Sequence, residues 1–127
     1  MGLIVQKFGG TSVADVARII NVVDKVKAEL KNGSKVVLVI SAMAGVTTTL
    51  VNYCREISAL VTQNELAIAD FTISNGENIS TGLVALALQS RGIDAIALQG
   101  WQAGIVTDVQ YSRGLINDIN TKDINKY

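Results

Sequence analysis

The chain has 127 residues, enough for one domain with a hydrophobic core, and apolar residues make up 49% of it. Eleven basic residues balance eleven acidic ones, which argues against a nucleic-acid partner because nucleic-acid-binding surfaces carry clustered positive charge. The sequence has no histidine, which excludes Ser–His and Cys–His catalytic pairs and histidine-ligated metal sites. Lysine, arginine, carboxylates, hydroxyls and backbone amides remain, and these groups suit phosphoryl transfer.

Compartment follows from the same composition. No apolar run approaches the ~20 residues of a membrane-spanning helix, and residues 1–6 lack the long apolar stretch of a secretory signal. A single cysteine, Cys54, cannot form an internal disulfide. We therefore expect a cytoplasmic protein without a membrane partner.

The first half of the chain alternates strand and helix signals. Leu3–Phe8 is predicted to be a buried strand, and Ala14–Lys31 carries apolar residues at helical spacing. Val36–Ile40 is a continuous apolar run, typical of a parallel strand covered on both faces. Thr48–Thr62 is predicted to form the second helix.

The second half continues this alternation. Two helices are predicted over Leu66–Ile73 and Ile79–Gln89, and a third strand at Ala95–Leu98. Trp101–Thr107 is predicted to be a loop with a short extended piece, and Leu115–Ile119 another strand. The order predicts an α/β protein, a three-layer α/β/α arrangement with a mainly parallel sheet and right-handed crossovers.

The first candidate site is the segment Lys7–Ser12, which reads K-F-G-G-T-S between the first strand and the first helix. Glycines let consecutive N–H groups converge on an anion, and the following helix offers its unpaired N–H groups. Lys7 adds a mobile positive charge. The segment predicts a phosphate cradle, although it matches neither the P-loop nor the G-x-G-x-x-G spacing. The alternative is a structural glycine turn with a solvated lysine.

The second candidate site is Ser41–Thr49, a turn of small residues after the second strand. It lies at the carboxyl edge of the predicted sheet, where open α/β sheets bind ligands. Ser41 and Thr47 could hydrogen-bond a small polar substrate. An equally good interpretation is that Thr47–Thr49 only cap the next helix.

Glu77 is the third candidate, near the start of a predicted helix whose dipole favours a carboxylate. It either caps that helix or receives the ammonium group of a substrate. The segment Gly100–Gly104 leaves the predicted third strand at the same edge and could form a wall of the pocket.

Four segments occur together in an order that resembles the aspartokinases of the amino acid kinase superfamily. They are K-F-G-G-T-S-V at Lys7–Val13, S-A-M-A-G-V-T at Ser41–Thr47, Gly76-Glu77 followed by Ser80, and Q-G-W-Q-A-G-I-V-T at Gln99–Thr107. The resemblance covers nearly the whole chain, and acetylglutamate kinase and uridylate kinase are weaker fits.

The resemblance implies an enzyme that uses ATP to phosphorylate the side-chain carboxylate of L-aspartate. The product, aspartyl phosphate, begins the biosynthesis of lysine, threonine and methionine. Catalytic Lys7 would neutralise charge on the transferring phosphoryl group. The phosphates of ATP would be bound by Lys7, Phe8, Gly9 and Gly10.

The same resemblance implies how aspartate is held. Ser41, Thr47 and Glu77 would bind it, and the Glu77 carboxylate would take its ammonium group.

Part of such a kinase has no counterpart in this sequence. The chain resembles the N-terminal half of an aspartokinase catalytic domain, without the later segments that bind adenine, ribose and metal and without ACT regulatory domains. Thr121–Tyr127 begins like a capped helix and then ends, as if a second half were missing. ATP and Mg²⁺ are therefore expected to bind mainly through the missing half, no metal ligand is assigned here, and the chain alone is expected to be inactive.

Two other interpretations stay open. The chain could be a non-catalytic remnant or subunit that pairs with a complementary chain, and a homo-oligomer is compatible with this. It could also be a generic anion-binding α/β module.

Overall fold

The computed structural model describes residues 2–127. The strands are β1 (Leu3–Phe8), β2 (Lys35–Ile40), β3 (Ile105–Thr107) and β4 (Ile116–Ile119). The α-helices are α1 (Val16–Lys31), α2 (Val46–Ile57), α3 (Gln63–Ile73) and α4 (Asn75–Gln89), and 3₁₀ helices span Gly10–Val13 and Ile124–Lys126. None of the helices in the described chain combines the length and the apolar character that crossing a membrane requires.

The chain divides into two compact units. The first contains the described residues up to Thr49 together with Asn75–Ala97, and so includes β1, β2, α1, α4 and the start of α2. The second contains Leu50–Ser74 and Leu98–Tyr127, with α3, β3 and β4. The candidate residues from Lys7 to Glu77 all lie in the first unit.

The first unit is built on a parallel pair of strands. β1 and β2 run in register from Leu3 opposite Lys35 to Phe8 opposite Ile40, so their carboxyl ends are level. Helices α1 and α4 pack against each other and against β2. The buried core of this unit consists of Phe8, Val13, Ile19, Val22, Val23, Val26, Val84 and Leu88. The predicted burial of both sheet faces holds for one face only, because Val5 and Val39 on the other face are 63% and 46% exposed.

Helix α1 begins at a side-chain cap. The backbone N–H of Arg18 donates to Oδ1 of Asp15 at 2.8 Å, which satisfies one of the free amides of the first turn. The helix starts two residues later than the predicted Ala14 because Gly10–Val13 forms a separate 3₁₀ turn. The predicted strand at Leu3–Phe8 is confirmed.

Helix α2 ends at Ile57, so the predicted helix over Thr48–Thr62 is wrong at its C-terminal end. The reason is a competing cap. Thr62 and Glu65 form a capping box at the start of α3, and the Glu65 carboxylate also accepts a hydrogen bond from the hydroxyl of Ser58 at 2.6 Å. These bonds hold residues 58–62 as a connecting loop, and its Leu60 has φ +54°.

The predicted third strand at Ala95–Leu98 is also wrong, because residues 93–99 have no regular secondary structure. In the described chain β2 pairs only with β1, so this segment has no ladder partner. The carbonyl of Ala95 instead accepts a hydrogen bond from the Gln89 side chain at 2.7 Å. The strand predicted over Leu115–Ile119 is confirmed as β4, which pairs antiparallel with β3 through a bulge. Among the strands of residues 2–127, only the β1–β2 pair is therefore parallel.

Candidate active site

The candidate site lies where β1 and β2 end. The backbone N–H of Ser41 donates to the carbonyl of Phe8 at 3.1 Å, so the two strands release their chains side by side. Lys7 is the penultimate residue of β1, and its side chain is exposed opposite Val39. It forms no ion pair with the rest of the described chain. Its charge is therefore available to an anion at this edge.

The two glycines after β1 serve different purposes. Gly9 is extended (φ −76°, ψ 171°), and its carbonyl accepts the N–H of Ser12 at 3.0 Å, which closes the 3₁₀ turn. A Cβ atom at Gly9 would meet no atom within 4 Å, so there is open space beside the loop. A Cβ atom at Gly10 would lie 2.9 Å from the carbonyl oxygen of Ala42. Gly10 thus lets the first loop approach the second, while Gly9 leaves room for a ligand.

The second loop turns at Gly45, whose φ of +81° is a conformation that favours glycine. The Gly45 carbonyl accepts hydrogen bonds from both the N–H and the hydroxyl of Thr49, each at 3.0 Å. Thr47 lies in the first turn of α2, is exposed, and shows no side-chain hydrogen bond to other described residues. The start of α2 therefore occupies the hydroxyl of Thr49 and leaves that of Thr47 available to a substrate.

Glu77 is the third residue of α4, which begins at Asn75 rather than near the predicted Ile79. Its side chain is half-buried. The first turn of a helix is where a carboxylate is favoured by the free N–H groups and the dipole.

Sequence reasoning missed the role of Ser80. This residue is 0% exposed, and its hydroxyl donates to the carbonyl oxygen of Ser41 at 2.6 Å. Gly76, Ser80, Val84 and Leu88 are the buried residues of α4, four positions apart. That spacing was the available signal, because it placed a polar residue within the apolar face of the helix.

The structure thus connects most of the predicted site. Lys7, Gly9 and Gly10 are joined to the Ser41 loop through Phe8 and Ala42. Glu77 lies on α4 one turn before Ser80, whose hydroxyl donates to Ser41. The segment Gly100–Gly104 belongs to the second unit, where it forms a turn in which the N–H of Ala103 donates to the carbonyl of Gln99 at 2.9 Å. A role for it in the pocket stays a prediction.

The chemistry of the site favours an anion. Within residues 2–127, no three His, Cys, Asp or Glu side chains are grouped to hold a metal ion. The groups at the strand ends are a lysine, glycine backbone and hydroxyls, which bind phosphate or carboxylate oxygens.

Residues 2–127 match the model of the amino acid kinase family. This chain belongs to the amino acid kinase family. The membership confirms the α/β fold class expected from the alternation of strands and helices.

Within this family, the chain is similar to proteins named as aspartokinases or aspartate kinases. The chain is 46% identical to the aspartokinase of Rickettsia prowazekii (strain Madrid E), over 100% of this chain and 28% of that protein. It is 46% identical to the aspartokinase of Bacillus sp. (strain MGA3), over 99% of this chain and 30% of that protein. The crystal structure of aspartate kinase from Synechocystis superposes with a TM-score of 0.73 at 42% identity, over 82% of this chain and 17% of that one. This chain thus spans less than a third of the length of these relatives.

Proposed function

We propose that this chain supplies the phosphate loop and the substrate pocket of an ATP-dependent aspartate kinase. The reaction would transfer a phosphoryl group to the side-chain carboxylate of L-aspartate, giving aspartyl phosphate for the biosynthesis of lysine, threonine and methionine. The observation that carries this proposal is the approach of two loops at Gly10, where the backbone of Ala42 leaves no room for a side chain. This approach brings the loop that we assign to phosphate beside the loop of mostly small residues that carries Ser41 and Thr47.

The residues fit the difficulty of the reaction. An aspartate carboxylate has a pKa of about 3.9 and is ionised at neutral pH, so the nucleophile needs no general base. The barrier is repulsion between two anions, which positive charge and aligned amides reduce. Lys7 would supply the charge, and the amides of Gly9 and Gly10 would bind the phosphates together with Phe8.

Aspartate would be held on the other side of this loop pair. Ser41 and Thr47 would bind its polar groups through hydrogen bonds, and Glu77 would take its ammonium group. The exposed hydroxyl of Thr47 and the half-buried carboxylate of Glu77 are compatible with these roles.

ATP and magnesium fit the site to different degrees. The open space at Gly9 and the exposed Lys7 can accommodate phosphate groups. Mg²⁺ prefers grouped oxygen ligands, and the described residues offer no such cluster. We therefore assign Mg²⁺, which would neutralise phosphate charge, mainly to the nucleotide and to the part of the catalytic domain outside the matched region.

We also propose which part of the enzyme this chain represents. Residues 1–127 would form the N-terminal half of the catalytic domain. We expect the chain alone to be inactive and the enzyme to be cytoplasmic. The chain covers only 28% and 30% of its relatives, which supports its being a part of the catalytic domain.

A chimera tests the proposal. The chain would replace the matching segment of the Bacillus sp. aspartokinase, to which it is 46% identical, and aspartate-dependent ATP turnover would be measured in a coupled assay. We expect turnover by the chimera, none by the chain alone, and a loss of at least about 100-fold on Lys7→Ala, since charge stabilisation of the transferring group is removed.

The control is Lys35→Ala, which removes an exposed lysine at the opposite end of the same sheet. This variant should retain activity. A folded chimera without aspartate-dependent turnover, or one in which both lysine variants behave alike, would contradict the proposal.

One observation favours a second candidate function, a non-catalytic chain that pairs with a partner or with itself. Leu3, Val5 and Val39 are 67%, 63% and 46% exposed, and each strand of the β1–β2 pair has one edge without a partner in the described chain. Exposed apolar surface of this kind marks an interface. Titration calorimetry with ATP and aspartate separately would distinguish the three functions. A generic anion-binding module binds phosphate without an aspartate effect, whereas the pairing function requires neither ligand.

A further inference from the structure

Ser80 contacts both Ser41 and Glu77, two residues to which the proposed function assigns the binding of aspartate. It lies on α4 one turn after Glu77, and its hydroxyl is 2.6 Å from the carbonyl oxygen of Ser41 at the end of β2. We propose that Ser80 is a positioning residue that fixes Ser41 relative to Glu77 and thereby sets the geometry of aspartate binding. This proposal rests on the proposed function.

The environment of Ser80 supports this role. It is the one buried polar side chain in the described part of the chain, at 0% exposure. A buried hydroxyl must find a partner, since an unsatisfied one is costly. Its neighbours on the same face of α4 are apolar, so the carbonyl of Ser41 is the polar partner that another element provides.

The direction of the hydrogen bond distinguishes Ser80 from an ordinary helical serine. A serine in a helix usually bonds a carbonyl three or four positions earlier, and Ser90, the residue just after α4, bonds Ala87 in the same way at 2.9 Å. The Ser80 oxygen is 3.1 Å from the carbonyl of Glu77 and 3.3 Å from that of Gly76, both longer than its 2.6 Å contact with Ser41. Because a hydroxyl carries a single proton, the shortest contact takes it, and this contact crosses to Ser41, the residue that follows β2.

The bond closes a short physical path between the two sides of the pocket. The N–H of Ser41 is held by Phe8 of β1 at 3.1 Å, and its carbonyl is held by Ser80 of α4. Ser41 is therefore fixed on both sides of its peptide backbone. Removing the Ser80 hydroxyl would free one of these sides without touching the phosphate loop.

Ser80→Ala tests the proposal in two ways. In the chimera described above, we expect the KM for aspartate to rise about tenfold and the KM for ATP to change by less than about twofold, because one hydrogen bond on the aspartate side is lost. In the chain itself, we expect the amide of Ser41 to exchange its hydrogen about tenfold faster relative to that of Val23 in the core of α1.

The matched control is Ser90→Ala, which removes a serine hydroxyl from the residue just after α4 and with it only a local bond. It should change neither measurement. Ser80→Cys retains a weak donor of similar size, so it should give an intermediate KM for aspartate, and it decides the question if Ser80→Ala does not fold.

The outcomes separate the two proposals. Equal changes in both KM values, or unchanged exchange at Ser41, overturn the role of Ser80 while leaving the kinase in place. An unmutated chimera without aspartate-dependent turnover overturns the proposed function and the substrate role of Ser80 with it. The exchange measurement then still shows whether Ser80 holds Ser41.

Discussion

Among single residues, Gly10 and Gly9 form a natural pair of test positions because they are adjacent and differ in what surrounds them. Alanine at Gly10 would place a methyl group 2.9 Å from the backbone oxygen of Ala42, so one of the two loops must move. We expect Gly10→Ala to lower the free energy of unfolding by about 1–3 kcal/mol, as overpacking usually does. Urea unfolding followed by circular dichroism measures this.

Gly9→Ala is the matched variant. Its backbone angles suit any residue and its added methyl group meets no atom within 4 Å, so stability should be unchanged or raised by about 0.4–1 kcal/mol. The methyl group would instead occupy the open space that we assign to phosphate, and ATP binding measured by calorimetry in the chimera should weaken. Equal losses of stability in the two variants would show that the loops do not meet at Gly10.

For individual elements, the connection between α2 and α3 depends on one carboxylate. Hydrogen bonds lower the pKa of Glu65 from 4.5 to about 2. The bond from the hydroxyl of Ser58 has the largest effect, and those from the backbone N–H and the hydroxyl of Thr62 come next. Because the folded pKa is depressed, the stabilisation is present above the unfolded pKa and is lost as pH falls towards the folded value. We expect Glu65→Gln to be less stable than the native chain near neutral pH.

The difference between the two proteins should shrink as pH falls from 4.5 to about 2, the window set by the pKa of Glu65. Urea midpoints measured across that range would show it. Glu56→Gln is the control, since Glu56 is an exposed glutamate of α2 without a hydrogen bond to other described residues. A constant difference between the Glu65→Gln variant and the native chain would contradict the expected linkage.

The same elements show what the sequence could reveal. Local patterns sufficed for β1, whose apolar run precedes the glycines. The end of α2 was missed because the capping box of Thr62 and Glu65 outweighs the helical pattern that continues past Ile57. The strand predicted at Ala95–Leu98 failed because strand formation needs a neighbouring backbone, which apolar character alone cannot supply.

For the candidate site, the sequence predicted which residues belong to it but not the contacts that join them. Lys7, Ser41 and Glu77 could be named because each follows or begins a predicted element. The approach of Gly10 to Ala42 and the bond from Ser80 to Ser41 join residues more than 30 positions apart. The first contact depends on the pairing of β1 with β2 and the second on the packing of α4 beside β2, and local periodicity specifies neither.

For the whole molecule, the apolar face of the β1–β2 pair should control association. Parallel sheets are normally covered on both faces, whereas Leu3 and Val5 are 67% and 63% exposed here. We expect the isolated chain to show a mass that rises with concentration in light scattering, and Val5→Thr to reduce this rise. Threonine retains the β-branched shape that suits a strand, so the variant should still fold.

Val16→Thr is the matched control for this surface. Val16 is 65% exposed, close to Val5, but it lies at the start of α1 rather than on the sheet. If association depends on the sheet face, Val5→Thr lowers the average mass and Val16→Thr leaves it unchanged. A chain that is strictly monomeric at all concentrations would remove the support for the pairing function. Equal effects of both variants would instead indicate general hydrophobic association, without a defined interface on the sheet.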